Sequence, residues 1–172
     1  MDITQLILDD HAEQRRLFAI LEQIDPRDVD ALTKVWGRLS AFLDVHAEAE
    51  ERFFYPELMK VGEAANDAEG DDAGPETIDA IEDHNKLRDA VKAVENYPVG
   101  TGAWIEAVGK ANVVNSKHMG EEERQGLTDF RRTASLESRH DLAVRFAAFE
   151  AENITGVKPV NKDPEAYVEK HG

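Results

Sequence analysis

The chain has 172 residues, enough for one domain with a real hydrophobic core and too few to favour two. Its 36 acidic residues against 20 basic ones, a formal net charge of -16, count against nucleic acid or an anionic membrane surface as a partner, because both demand positive charge. With no cysteine, disulfides, thiolate catalysis and thiolate metal sites are excluded, so any metal must be held by histidine, carboxylate or tyrosine.

The first residues, "MDITQLILDDHAEQ", lack a basic leader and a long apolar run, and no window approaches the length needed to span a bilayer. A soluble cytoplasmic protein is the expectation. Apolar residues recur at helical spacing almost throughout, without the sustained alternation of a strand, so the class is all-α.

A first helix is expected from about Asp2 to Ile24, with Ile3, Ile7, Phe18 and Leu21 on one face. The Asp25-Pro26 step ends it, since proline disfavours helical backbone in the residue before it. A second begins near Asp28 or Asp30 and carries Leu32, Val35, Leu39, Phe42 and Phe53 toward Gly62, with Tyr55-Pro56 as a candidate kink. The acidic, glycine-punctuated stretch Gly62 to Pro75 reads as a loop. A third helix starts at Pro75 and uses Ile78, Ile81, Leu87, Val91 and Val94 before "NYPVGTG" stops it. A fourth runs from about Ala103 to Gln125 with Trp104, Ala107, Ala111 and Val114 inward.

Four long helices with short to moderate connections predict an up-down-up-down four-helix bundle. A fifth helix, about Ser135 to Glu152, sets Leu142, Phe146 and Phe149 on one stripe, which must cover the bundle or another subunit, so a homo-oligomer through this helix is one expectation. From Asn153 the tail has no sustained period and is expected to be irregular, dividing the chain into a bundle over 1–152 and a tail over 153–172. The "NIT" sequon in that tail is empty in a cytoplasmic protein.

Each of the four main helices places one histidine on its apolar stripe: His11 with Ile7 and Phe18, His46 with Phe42, His84 with Ile81, Leu87 and Val91, and His118 with Val114. Two of them add a glutamate four residues on, Glu50 in "HAEAE" and Glu122 in "HMGEE", so each pair projects from neighbouring turns of one face. The halves repeat, with 35 residues from His11 to His46 and 34 from His84 to His118. A lone inward histidine is readily satisfied by a backbone carbonyl. Two inward glutamates among four imidazoles carry a heavy desolvation cost unless something positive lies between them, and one or two dications supply that charge. Nitrogen and oxygen ligands on facing helices suit redox-active iron or manganese, with zinc chemically possible.

The order His, His-x-x-x-Glu, His, His-x-x-x-Glu over about Met1 to Glu152 resembles the hemerythrin-like family, the HHE cation-binding domain. "HAEAEERFFYPEL" is similar to its second-helix signature and "HMGEEE" to its fourth. The resemblance implies two iron ions, His11 and His46 on one, His84 and His118 on the other, with Glu50 and Glu122 bridging and an oxo or hydroxo bridge completing the centre. Oxygen-carrying members add a histidine four residues after the one on the third helix, where this chain has Arg88, and an aspartate at i+5 where it has Glu122 at i+4.

Both departures weaken an oxygen-carrier reading and leave the irons more open to peroxide. Glu51, Glu82, Glu121, Glu123 and Tyr55 are candidates to fill the gap. Glu51, Glu121 and Glu123 are expected on a solvated helix face. Phe54, not Tyr55, lies at i+4 from Glu50, so Tyr55 is expected to pack. His140 and His171 fall outside the repeat and read as surface residues.

Two functions follow from the resemblance and the ligand pattern. The first is a non-haem di-iron protein that reacts with small oxidants, by catalase-like hydrogen peroxide decomposition or oxidative-stress defence, with no catalytic residue assigned beyond the metal ligands. The alternative is binding and sensing of oxygen, nitric oxide or iron without turnover. An iron store is disfavoured because one small bundle holds few ions, and a purely structural bundle leaves two inward glutamates unexplained.

Overall fold

Five helices begin on a side chain that accepts a backbone N–H two or three residues on: Asp2, Asp28, Thr101, Ser135 and Asp163. The computed structural model describes residues 1–65 and 73–172, and the described residues contain helices and no strand. In chain order they are α1 (Ile3–Gln23), α2 (Val29–Ala49), a π-helical turn (Glu50–Phe54), α3 (Tyr55–Ala65), α4 (Ala73–Val94), α5 (Gly102–Arg124), α6 (Gly126–Thr133), α7 (Leu136–Glu152) and α8 (Pro164–His171). α1, α2 with its continuation α3, α4 and α5 form the up-down-up-down bundle, and α1 packs on α2 as α4 packs on α5.

Two apolar clusters fill its ends. One gathers Ile3, Ile7, Phe54, Phe130 and Phe146, and the other Leu17, Phe18, Leu32, Trp36, Leu39 and Trp104. Between them lies a buried polar belt of His11, Gln14, His46, Glu50, His84, Asn115, His118 and Glu122. The belt follows from the sequence of every long helix: on α1 the apolar Ile3 and Ile7 give way to His11 and Gln14 before Leu17 and Phe18 resume the core.

The stretch expected as a loop is helical at both of its ends. The chain stays helical to Ala65 and is helical again from Ala73, and the rest of the stretch lies outside the described residues. α6 is an added element between the fourth and fifth expected helices, and Leu127 and Phe130 bury it. Much of the stripe of α7 is covered within the chain, Leu142 and Phe146 being fully buried against the bundle, while Leu136 and Val144 of the same helix are exposed.

The tail is the clearest correction. Residues from Asn153 onward are not wholly irregular: after a turn at Gly156 (φ 112°), the chain crosses beside Ala41 and ends in α8, whose Tyr167 is buried against α4. The stretch lacked a readable period because only one residue of α8 is inserted into the core.

The connections between α1 and α2 and between α4 and α5 touch at Gly100 (φ 80°), where a Cβ would run into the Pro26 carbonyl oxygen. Gly100→Ala is expected to destabilise the fold by about 2 kcal/mol or more, from left-handed backbone strain plus the clash. Urea unfolding checks this, and an unchanged midpoint would contradict it.

Candidate metal centre

The opening of the second helix's far end is set by Pro56. A proline has no N–H and its ring collides with the carbonyl four residues back, so the helix widens in the turn ahead of it. Tyr55 N–H accordingly donates to the Glu50 carbonyl, five residues back, in the π-helical turn. The extra residue in that turn carries Tyr55, rather than Phe54 alone, onto the face that Glu50 occupies.

All six expected ligands meet in the polar belt, each 0–6% exposed. Glu50 stands at the middle. Its Oε1 lies 2.9 Å from His46 Nε2 and 3.9 Å from His11 Nε2, and its Oε2 lies 3.2 Å from His84 Nε2 and 3.8 Å from His118 Nε2. One carboxylate therefore faces two histidine pairs, one with each oxygen. Glu122 is placed less symmetrically: its Oε2 is 3.3 Å from His11 Nε2, while its Oε1 accepts a 2.8 Å hydrogen bond from the Tyr55 hydroxyl.

The outer ring nitrogens have partners as well. His11 Nδ1 lies 2.9 Å from Glu123, His46 Nδ1 3.2 Å from Asp10, and His84 Nδ1 2.8 Å from Glu51. An ionised carboxylate only accepts, so it fixes the proton on Nδ1 and, in a neutral ring, leaves the Nε2 lone pair aimed at the centre. This is the arrangement that orients histidines on metals. Asp10, His46 and Glu150 also bring ligand atoms within 4.8 Å of one another on the outer side of His46.

The inward atoms fit a cation. His11 Nε2, His46 Nε2, both Glu50 oxygens and Glu122 Oε2 are buried with no hydrogen-bond partner, five orphaned polar atoms around one space. His84 Nε2 and His118 Nε2 stand 3.0 Å apart. That is about the separation of two nitrogens bound at right angles, each about 2.1 Å from one ion. His11, His46 and Glu50 form one potential ligand group, and Glu50, His84 and His118 a second.

Without a cation, protons take its place. Burial would pull the His46 imidazole down, but the Glu50 charge, with the hydrogen bond to Asp10 and the nearby Glu150 carboxylate, raises it well above its ordinary value. His84 is likewise opposed by burial and raised to about 9 by Glu50 and Glu51. Burial would push Glu50 up, yet the charge at His46 and the His118 and His84 rings that face it hold it well below the usual carboxylate range. Burial and then the Glu122 and Glu50 charges push the Tyr55 phenol well above its ordinary value, so it keeps its proton as donor to Glu122.

Several neighbours depart from expectation. Glu51 is not solvated: it is 1% exposed, and Arg88 and Lys162 pair with it alongside His84. Burial opposes its ionisation, but those partners draw it down to about 2. Tyr55 is buried yet also bonded to Glu122, so it does more than pack. Glu123 is half-buried between His11 and Arg15, and Glu121 pairs with Lys117 at the surface. Glu82 is exposed. Arg88, in place of the carriers' extra histidine, is itself buried on Glu51. His140 is exposed and meets the N-terminus, and His171 packs on Tyr167.

A cleft of about 570 Å³ connects the centre to the surface between α3, α4 and α5, with Tyr55, His118 and Glu122 at its inner end. Toward the surface Asp83 is held by Lys86 at 2.8 Å and Lys117 at 2.7 Å.

A helical bundle with a buried His and carboxylate set, orphaned inward, defines a cation-binding class of protein. The chain belongs to the hemerythrin HHE cation-binding domain family, whose model matches residues 2–127. No curated protein and no solved structure matches it. The matched stretch closes as α6 begins, so α7, α8 and the segment between them lie beyond it. Among the described residues, no helix is long and apolar enough to cross a membrane.

Proposed function

We propose that the chain holds two iron ions, His11 and His46 on one and His84 and His118 on the other, with Glu50 and Glu122 between them. The further proposal is that it decomposes hydrogen peroxide as part of oxidative-stress defence. The observation that carries the two-ion reading is Glu50, fully buried, each oxygen turned to a different histidine pair and neither hydrogen-bonded. Four imidazole nitrogens and two carboxylates suit iron and leave coordination positions unfilled, unlike the closed tetrahedron of a structural zinc site.

The cleft favours turnover over a sealed structural site. A small oxidant reaches Tyr55, His118 and Glu122 from solvent without unpacking either apolar cluster. Held by His11, His46, His84, His118, Glu50 and Glu122, a pair of irons would supply the two-electron redox capacity that conversion of two peroxides to two waters and one dioxygen requires. The protein's own part is to fix and supply protons. Tyr55 holds one at Glu122 Oε1, and the outer carboxylates hold one on Nδ1 of His11, His46 and His84, keeping Nε2 inward.

Iron-loaded protein challenged with peroxide tests the reading. The expected result is about two irons per chain, charge-transfer absorption in the near ultraviolet, and dioxygen released at half the rate at which peroxide disappears. Stable binding of oxygen or nitric oxide without dioxygen release from peroxide would replace turnover by sensing. Absence of iron uptake would remove both.

A further inference from the structure

The Glu51 backbone carbonyl loses its α-helical donor. In an α-helix it would accept from Tyr55 N–H, but that group is committed to the Glu50 carbonyl. In the π register the next donor would be residue 56, which is a proline. The acceptor is satisfied from outside the bundle: the Tyr167 hydroxyl of α8 donates to it.

The Glu51 side chain draws on the same segment. Its Oε1 accepts from Arg88 and meets His84 Nδ1, both at 2.8 Å, and its Oε2 is paired with the Lys162 ammonium. Lys162 is fixed in turn by a two-way clamp on its own backbone, where Asn85 Nδ2 donates to its carbonyl at 2.6 Å and its N–H donates to Asn85 Oδ1 at 2.9 Å. Lys162 also reaches Glu48 at 2.8 Å, and Asn161 donates to Asp89 at 3.0 Å. Asn85 and Asp89 flank the turn of α4 that follows His84, while Glu51 follows Glu50. Residues 161–167 thus tie together the two backbone stretches that present Glu50 and His84.

Resting on the metal-centre reading above, we propose that residues 161–167 form a strap belonging to that centre, with Lys162 and Tyr167 positioning Glu51 and, through it, His84 for cation binding. A buried carboxylate stripped of one of its cations would turn or take up water, and His84 Nδ1 would lose the acceptor that fixes its ring. The consequence is local. The ion on His84 and His118 depends on the strap, whereas His11 and His46 are held by Glu123 and Asp10.

The test uses the full chain loaded with Co²⁺, whose visible absorption reports coordination whether or not iron is the native metal. Wild type, Lys162→Met, Lys162→Arg and Tyr167→Phe are compared for release to a chelator. The expected result is that Lys162→Met and Tyr167→Phe lose one of the two cobalt ions about tenfold faster or more. Their absorption should change with it, and Lys162→Arg should behave as wild type. Tyr167→Phe removes a single hydroxyl, so it decides the matter if Lys162→Met does not fold. Release at the wild-type rate from folded variants would overturn the strap. So would equal acceleration of both ions with lower melting of the metal-free protein, which is what loosened packing alone would give. Uptake of cobalt without iron would remove the di-iron function and leave the strap to be judged on cobalt release, and uptake of neither would remove both.

Discussion

Glu50→Gln protein is expected to carry no stoichiometric metal, against about two ions per chain in the wild type, when both are loaded under the same conditions and assayed by elemental analysis. Glutamine keeps the volume and one carbonyl oxygen but removes the charge that both histidine pairs share through Oε1 and Oε2. The metal-free variant should melt lower than metal-free wild type at pH 7, because the lost charge is the one that faces the His46 and His84 imidazoles, and removing one partner of a buried pair leaves the other uncompensated. Glu122→Gln should do less damage, retaining part of its metal, because Glu122 offers one oxygen to His11 while the other is occupied by Tyr55. Two ions retained by Glu50→Gln would show that the carboxylate between the histidine pairs does not bridge them.

The difference between Glu50 and Glu122 was not legible in the sequence, where both stand four residues after a histidine. Helical spacing was enough to read the bundle, the inward face of each helix and the convergence of four histidines and two glutamates, because 3.6-residue periodicity persists from Ile3 to His46 and from Ile81 to Glu122. It failed where the period changes. Counting in α-helical steps puts Phe54 below Glu50, but the proline at 56 widens the turn, and Tyr55 arrives at Glu122 instead. The signal was present in "FFYPEL", as a proline that cannot close the i–4 bond. Glu51 was misread for a related reason. Charged residues in a row usually face water, and nothing near Glu51 announces that Arg88, Lys162 and Tyr167 converge on it from 37 to 116 residues away. α8 carries one buried residue, too little for any periodic reading.

Removing metal should both weaken the fold and reverse its response to alkali. At a thousandfold excess of free metal over Kd, binding to the folded state alone contributes about 4 kcal/mol for each site, or roughly 10 °C in melting temperature for a chain of this size. In the chelated protein His84 carries a pKa near 9 against an ordinary 6.5, so its favourable pairing with Glu50 and Glu51 is fully present below 6.5 and is lost as pH rises through about 9. Chelated protein should therefore melt progressively lower from pH 7 to 9. Metal needs the neutral imidazole, so over the same range affinity should rise by up to about tenfold per pH unit for each proton displaced. The gap between loaded and chelated melting temperatures is thus expected to widen from pH 7 to pH 9 at constant free metal. Calorimetric scans of both forms at the two pH values measure it directly. A gap that is constant or narrows would mean that His84 gives up no proton on metal binding, and would take it out of the ligand set.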